Sequence, residues 1–288
     1  MAILLGLVAA YGASVLLLWA FQERIAFPGP RAPLPDPARV LGYGERIELA
    51  MRDGTRLAGW FLPPEDGGGR RKTADRRGAD LRRPAPPSAA LLWFYGNGET
   101  IAAIWPVIRD FRPPDAALLM VDYPGYGASG GRTTEAGLYE AGALAYAALA
   151  SRPGVDRNRI YVYGRSLGSA VATRTAADHP VAGLILESPF TNARDMATRH
   201  FRLFALFPLR LGLDNLATIR RVRGPVLIFH GTGDALVPFE MGRRVAQAAQ
   251  QRGPVEFVIL EGSGHNETYD AGGRAYRDKL WRFVGRAP

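Results

Sequence analysis

Short runs of apolar residues alternate with longer amphipathic stretches over most of the chain. The first two runs flank Asp53-Gly54, a dipeptide typical of hairpin turns, and are therefore predicted to pair antiparallel. The later runs lack polar interruptions, as expected of strands buried on both faces of a parallel sheet. The predicted strands are 46–50, 56–62, 90–95, 116–121, 160–163, 183–186, 226–229 and 255–260, and the predicted helices are 100–110, 135–150, 166–178, 238–251 and 271–284.

Strand and helix follow each other regularly after residue 90, which indicates an α/β fold. Right-handed crossovers then place helices on both faces of a mostly parallel, eight-stranded sheet, in one domain that spans residues 45–288. The connection 188–224 is too long for a simple loop and is rich in Phe and Leu. Ligands bind over the carboxyl ends of the strands in such sheets, so we predict a small lid there. The alternative is an ordinary packed helical excursion.

The N-terminal segment has a different pattern. Residues 2–21 carry no charged side chain, and a helix of that length spans about 30 Å, the thickness of a bilayer's hydrocarbon core. No clear signal-peptidase site follows, so we predict an uncleaved membrane anchor over residues 1–26. Basic residues follow the anchor and none precedes it, which favours a cytoplasmic catalytic domain. Residues 27–44 are rich in proline and are predicted to form an extended tether.

Composition and charge exclude several kinds of chemistry. The chain has no cysteine, so it forms no disulfide and has no thiolate metal ligand or cysteine nucleophile. Its formal net charge is +9, and many of its arginines lie in residues 63–88, which have too little apolar surface to fold alone. We predict a mobile basic loop there, which either contacts anionic lipid or has no role. No nucleic-acid-binding motif accompanies the charge, so no nucleic-acid partner is expected.

The most informative stretch is a G-x-S-x-G turn, residues 164–168, between a predicted strand and a predicted helix. In a nucleophile elbow the serine lies on a cramped strand-to-helix turn, which leaves almost no room for side chains two positions before and after it. Gly164 and Gly168 occupy those positions. Such a turn raises Ser166 Oγ above the sheet and directs the Leu167 N–H toward an oxyanion. The alternative is a glycine-rich loop that binds phosphate or nothing.

The chain has four histidines, which limits the search for a general base. His179 ends the helix after the serine, on the far side of the sheet, and His200 lies in the predicted lid. His265 follows the last predicted strand, at the edge of the sheet where the serine also emerges. His230 also ends a strand and is the rival of His265.

The order of the motifs decides between these two histidines. A hydrolase with the chain order Ser, Asp, His needs an acid on the loop after the seventh strand and a base later in the chain. Asp234 lies on that loop, so we predict that Asp234 orients His265 and that His230 supports the loop by hydrogen bonding. Glu187, at the end of the sixth strand, is the alternative acid.

A second oxyanion donor is expected from the loop after the third strand. Residues 95–98 (YGNG) occupy that loop, and their glycines allow backbone amides to turn toward the site. We predict the Asn97 N–H as this donor, beside that of Leu167, with Gly98 as the next choice.

Together these motifs resemble the α/β-hydrolase fold, over residue 46 to the C-terminus. They are most similar to its membrane-anchored serine-hydrolase branch, which includes protein depalmitoylases and lysophospholipid lipases. One departure is Tyr95, where that family usually has histidine; the departure changes how the loop is braced and leaves its backbone donors intact. The motifs are YGNG at 95–98, DYPGYGASGG at 122–131, GRSLGS at 164–169, ESPF at 187–190, HGTGDALVP at 230–238 and GSGHNE at 262–267.

The sequence therefore predicts a serine hydrolase that cleaves ester or thioester bonds of a lipid-like or acylated substrate through an acyl-enzyme, with no cofactor and no metal. One alternative is a prolyl-aminopeptidase-like peptidase, in which Glu187 or Asp195 would hold the free amine of the substrate. The other alternative is a membrane-tethered scaffold that has kept the fold and lost the chemistry. Haloalkane dehalogenase and epoxide hydrolase chemistry is disfavoured, because those relatives have aspartate in the position of Ser166.

Overall fold

The computed structural model describes residues 1–65, 88–200 and 209–285. The predicted basic loop, residues 63–88, falls almost wholly outside this part of the chain. The same applies to residues 201–208 within the predicted lid.

One sheet of eight strands organises the described residues. Its strands are β1 (Glu45–Ala50), β2 (Arg56–Leu62), β3 (Ser88–Phe94), β4 (Ala117–Val121), β5 (Val155–Arg165), β6 (Gly183–Glu187), β7 (Val226–Gly231) and β8 (Val255–Leu260). They lie side by side in the order β1-β2-β4-β3-β5-β6-β7-β8. The β1–β2 and β2–β4 pairs are antiparallel, and all others are parallel. The predicted α/β class and mostly parallel sheet are thus confirmed.

The helices follow the strands as the apolar pattern indicates. They are α1 (Ala2–Ala26), α2 (Pro37–Leu41), α3 (Ile101–Phe111), α4 (Glu135–Ala150), α5 (Leu167–Asp178), α6 (Ala193–His200), α7 (Asn215–Ile219), α8 (Phe239–Ala249) and α9 (Thr268–Val284). Side-chain caps start four of them, α2, α3, α4 and α7, where Asp36, Thr100, Thr134 and Asp214 each accept a backbone N–H of the first turn. Helix α3 contacts α9, while α4 and α7 both contact α5.

Helix α1 stands apart from the apolar core over most of its length. The segment Ile3–Ala26 is long and apolar enough to cross a membrane, with a mean hydropathy of 2.2 over an 18-residue stretch of which no part is buried. Large apolar side chains along it are exposed, among them Leu4, Leu16 and Leu17. The helix therefore matches the predicted anchor in length and composition, criteria that a signal sequence also meets.

Residues 27–44 pack against the domain and include the short helix α2. Phe27 and Leu34 are buried, and the Trp60 indole N–H donates to the Pro35 carbonyl at 2.8 Å. This differs from the extended tether that the prolines indicate. Burial of the two apolar side chains supplies the driving force for docking that a free tether lacks.

The described parts of the predicted lid contain helices α6 and α7. Helix α7 is fixed to α5 by Asn215, a fully buried residue whose amide donates to Ser169 Oγ at 3.0 Å and to the Phe190 carbonyl at 2.8 Å. Residues 209–213, which precede α7, reach the C-terminal end of helix α1, where Gln22 accepts the N–H of Arg210.

Candidate active site

Ser166 occupies a strained turn between a strand and a helix. Strand β5 ends at Arg165 and helix α5 begins at Leu167, which leaves Ser166 between them with φ 49° and ψ −115°. Residues with a side chain rarely adopt a positive φ, and such strain is concentrated at functional sites.

The two glycines that flank Ser166 are required by close backbone contacts. A Cβ on Gly164 would lie 2.3 Å from the carbonyl oxygen of Gly168, and a Cβ on Gly168 would lie 2.3 Å from that of Phe94. Both distances are far below van der Waals contact, so the turn tolerates only glycine at these positions. This is the steric reason from which the sequence predicts the elbow.

The structure brings Ser166, His265 and Asp234 together in one hydrogen-bonded row. His265 Nε2 lies 3.1 Å from Ser166 Oγ, and His265 Nδ1 lies 2.7 Å from Asp234 Oδ2. Ser166 is 9% exposed and Asp234 is 6% exposed, so the row is largely shielded from water. These three residues come from the loops that follow β5, β7 and β8, and they meet at the carboxyl edge of the sheet.

The loop around Asp234 holds its carboxylate in the charged form. Oδ1 accepts the N–H groups of Val237 at 2.7 Å and Leu236 at 3.0 Å. Burial alone would raise the pKa of Asp234, but hydrogen bonds from His230, His265 and the Val237 N–H hold this pKa well below its ordinary value. The carboxylate can therefore orient a histidine and stabilise its protonated form.

His230, the rival base, lies behind this loop. Its Nε2 is 2.9 Å from the Val237 carbonyl and 3.5 Å from Asp234 Oδ2, and the residue is fully buried. These contacts are those of a residue that supports the acid loop, as the sequence predicts.

The loop after β3 lies beside the elbow, because Phe94 of β3 pairs with Gly164 of β5. The Asn97 side chain donates to the Ala26 carbonyl at 2.8 Å and accepts a hydrogen bond from the Tyr126 hydroxyl. Burial raises the pKa of Tyr126 to about 12, so this hydroxyl remains a donor in ordinary buffers. Both contacts fix the backbone of Asn97, one of the two predicted oxyanion donors.

The other predicted donor, Leu167, is the first residue of α5. Backbone N–H groups in the first turn of a helix have no acceptor within the helix, and the helix dipole favours negative charge there. The Leu167 N–H follows directly on Ser166, so it is in a suitable location to stabilise an oxyanion at that residue.

Tyr95 braces the loop that carries Asn97. Its hydroxyl donates to Asp122 Oδ1 at 2.9 Å and accepts the Tyr123 N–H at 3.1 Å. The Tyr123 hydroxyl in turn donates to the Tyr95 carbonyl at 2.8 Å. A buried carboxylate that follows β4 therefore anchors Tyr95 and the loop after β3.

The alternative carboxylates already have partners. Glu187 is fully buried and accepts hydrogen bonds from Arg165 Nε at 3.1 Å and from the hydroxyls of Tyr163 and Thr268. Asp195 accepts the Thr191 hydroxyl at 2.6 Å and pairs with an arginine of α8. Each carboxylate is already paired with an arginine, and both oxygens of Glu187 accept hydrogen bonds.

The sequence does not single out two residues that lie near the site, Arg165 and Glu99. Arg165 and Glu99 both contact loops that carry the candidate catalytic groups. The local signals for them are that Arg165 lies within the GxSxG motif and that Glu99 directly follows the YGNG motif. Among the described residues, no group of three or more His, Asp or Glu side chains is arranged to hold a metal ion.

Several known proteins resemble this chain in sequence or fold. The family described as "Serine aminopeptidase, S33" matches residues 85–214. The chain is 31% identical over 273 residues to the uncharacterized protein Rv2307c of Mycobacterium tuberculosis, covering 94% of this chain and 89% of that protein. It is 30% identical over 296 residues to the alpha/beta hydrolase domain-containing protein WAV2 of Arabidopsis thaliana, covering 94% and 90% of the two chains.

A shorter match and a solved structure extend the comparison. Human alpha/beta hydrolase domain-containing protein 17B is 36% identical over 168 residues, which are 57% of this chain and 55% of that protein. The Pyrococcus furiosus esterase Pf2001 shares the fold with a TM-score of 0.69 at 19% identity, covering 89% of this chain and 95% of that one.

These relationships establish the family. The chain belongs to the α/β-hydrolase superfamily, as its motifs predict. Within that superfamily it is a hydrolase, with homologues among the alpha/beta hydrolase domain-containing proteins and fold neighbours among the esterases.

Proposed function

We propose that this protein is a membrane-anchored serine hydrolase that cleaves carboxylic ester or thioester bonds of lipid-like or acylated substrates. The observation that carries the proposal is the row of hydrogen bonds from Asp234 through His265 to Ser166 Oγ. A nucleophile, a base within hydrogen-bond reach and a carboxylate that orients the base form the arrangement of a serine hydrolase.

In the proposed mechanism Ser166 Oγ attacks the acyl carbon while His265 Nε2 removes its proton. Asp234 accepts the hydrogen bond from His265 Nδ1–H and stabilises the imidazolium. The imidazolium then protonates the alcohol or thiol leaving group as the bond to the acyl carbon breaks. Water, deprotonated by the same histidine, attacks the acyl-enzyme and releases the acid, which restores the Ser166 hydroxyl.

The backbone N–H groups of Asn97 and Leu167 are the proposed donors to the oxyanion. Each such donor lowers the barrier by about 3 kcal/mol when it is aimed at the charge that develops in the transition state. The contacts from Asn97 to Ala26 and Tyr126 support this role, since they hold the loop before substrate arrives.

The proposed substrate class rests on the surroundings of the site. Helix α1 exposes several large apolar side chains, as suits a bilayer, and its end lies against the loop that carries Asn97. A catalytic domain held in this way would meet substrates at the membrane surface. The arginines that follow the helix support a cytoplasmic location, which protease protection of the domain in sealed cells would test.

The test is esterase activity of the full chain in detergent micelles. Wild type and Ser166→Ala are compared on p-nitrophenyl esters from acetate to palmitate and on a fluorogenic acyl-thioester. We expect the wild type to turn over these substrates and Ser166→Ala not to do so. Fluorophosphonate should label the wild type and the control Ser151→Ala, in which the replaced serine is exposed and far from the site. Labelling of Ser166→Ala would contradict the assignment of the nucleophile. An absence of both turnover and labelling in the wild type would favour a scaffold instead.

A second candidate is a serine aminopeptidase, which the description of the matched family favours. The same three residues would act, but a carboxylate would have to hold the free amine of the substrate. Glu187 and Asp195, the two candidates, are both engaged with arginines, which argues against this function. Hydrolysis of aminoacyl naphthylamides without hydrolysis of the esters would reverse this preference.

A further inference from the structure

Arg165, the residue before the candidate nucleophile, contacts two separate loops and the end of strand β6. Its side chain is only 9% exposed. Nη2 donates to the His265 carbonyl at 3.0 Å and to Asn266 Oδ1 at 2.8 Å. Nη1 donates to Glu99 Oε1 at 2.5 Å, and Nε donates to Glu187 Oε1 at 3.1 Å. One guanidinium group therefore binds the histidine loop directly.

Glu99 extends these contacts to the oxyanion loop. Its second oxygen, Oε2, accepts the Gly96 N–H at 2.6 Å. A Cβ on Gly96 would lie 3.0 Å from both Arg165 Nη1 and Glu99 Oε2, so the loop backbone rests directly on the ion pair. Asn97, the proposed oxyanion donor, is the next residue.

Glu187 connects the same guanidinium to the elbow. Its backbone carbonyl accepts the Ser166 N–H at 2.9 Å, while its side chain holds Arg165 Nε. Burial opposes the charged form of Arg165, but the Glu187 and Glu99 carboxylates outweigh this effect and raise its pKa above the ordinary value. The group is therefore a permanent cation with fixed acceptors on every side.

We propose that Arg165 is a positioning residue that sets the nucleophile, the base and the oxyanion donor in their mutual geometry. The proposal rests on the function proposed above and adds a residue to it. Arginine suits this task because its planar fork carries five N–H donors, whereas lysine has three donors at a single point. A displacement of about 1 Å between catalytic groups can cost about 10²-fold in rate, so Arg165 acts on the reaction without touching the substrate.

Arg112 supplies a matched control. It is also a buried arginine paired with a glutamate, with Nη2 at 3.3 Å from Glu65 Oε1. It lies between α3 and β4, at the edge of the sheet opposite Ser166. Arg112→Ala should lower stability, because it leaves a cavity and removes the partner of Glu65, and it should leave the catalytic loops in place.

The first measurement is hydrogen–deuterium exchange, which needs no activity. We expect Arg165→Lys to increase exchange in both 95–98 and 262–267, and Glu99→Gln to increase it in 95–98 alone. Arg112→Ala should change neither loop. Unchanged exchange in both loops of Arg165→Lys would overturn this proposal, whatever the activity of the variant. Failure of fluorophosphonate to label the wild type would instead overturn only the proposed function.

The second measurement separates kcat from KM. At a temperature where all variants are folded, Arg165→Lys should lower kcat by about 10²-fold while its KM stays near that of the wild type. Arg112→Ala should retain the wild-type kcat. If both variants lose activity only in proportion to their loss of folded protein, Arg165 serves stability alone and the proposal fails.

The third measurement is chemical rescue of Arg165→Ala. A cavity of about 380 Å³, lined in part by Glu99, Arg165 and Asn266, borders the guanidinium and offers a path to the vacated site. Guanidinium ions well below denaturing concentration should raise the kcat of Arg165→Ala and leave Arg112→Ala unaffected. Equal effects on the two variants, or none on either folded variant, would contradict a positioning role.

Discussion

Gln22 Oε1 accepts the backbone N–H of Arg210 at 2.8 Å, which joins the apolar N-terminal helix to residues of the proposed lid. The same oxygen lies 3.4 Å from the Leu211 nitrogen, and the Arg210 guanidinium stacks on the Trp19 ring at 4.5 Å. Four residues after Gln22, the Ala26 carbonyl accepts the Asn97 side chain. The end of helix α1 thus contacts both the predicted lid, at Arg210, and the loop after β3, at Asn97.

Gln22→Leu should release the lid from helix α1. The side chain is buried, and its loss leaves two backbone donors without their acceptor, at a cost of about 1–3 kcal/mol. We expect faster hydrogen–deuterium exchange at residues 209–213 of the full chain in detergent. Gln247→Leu, an exposed position on α8, is the control and should leave that exchange unchanged. Equal exchange in all three proteins would show that Gln22 does not hold the lid.

Asp234→Asn should abolish most of the activity without unfolding the protein. Asparagine can still accept the N–H groups of Val237 and Leu236, but it cannot stabilise the imidazolium of His265. By the general behaviour of such triads, we expect kcat to fall by about 10⁴-fold, measured on the best p-nitrophenyl ester. A variant that is folded and retains more than a tenth of the wild-type kcat would exclude Asp234 as the acid.

The stability contribution of Asp234 should depend on pH in a defined direction. Its folded-state pKa lies below the ordinary value of 3.8, so its contribution is complete well above that value and is lost as the pH falls toward the folded pKa. The difference in unfolding free energy between wild type and Asp234→Asn should therefore shrink between about pH 5 and about pH 3, by up to about 1.4 kcal/mol per pH unit. Urea unfolding measures this difference. A constant difference would mean that the carboxylate is not stabilised in the charged form.

Gly168→Ala should prevent formation of the elbow. The added methyl would lie 2.3 Å from the Phe94 carbonyl oxygen, so strand β3 and helix α5 would have to separate. We expect a loss of fluorophosphonate labelling together with a lower thermal midpoint. Gly130→Ala is the control, because its Cβ meets nothing closer than 3.5 Å, and it should label normally.

Local patterns predict the fold and the three central site residues. The strands are runs of apolar residues. The elbow is recognisable from five consecutive residues, because local steric crowding requires glycine at its two flanking positions. Ser166, Asp234 and His265 follow from motif order, since parallel strands bring their carboxyl ends to one edge of the sheet. Each inference needs only neighbouring residues and one topological rule.

The sequence does not disclose interactions that join distant segments. Arg165 contacts residues 99, 187 and 265, and no spacing along the chain encodes that set of partners. The packing of residues 27–44 is missed for a similar reason: prolines indicate an extended backbone, but whether Phe27 is buried depends on which surface lies opposite it. Tyr95 illustrates the same limit, because its partner Asp122 is contributed by another strand.

The contacts at the end of helix α1 have a practical consequence for anyone who shortens this protein to purify it without detergent. A truncation after residue 26 would remove Gln22 and Ala26, and with them the acceptors of Arg210 and of the Asn97 side chain. The resulting enzyme would be soluble but altered at the very loops that an assay is meant to report on. A cut before Trp19 discards most of the apolar helix and retains these attachments, so it is the better starting point for crystallisation and for inhibitor screening.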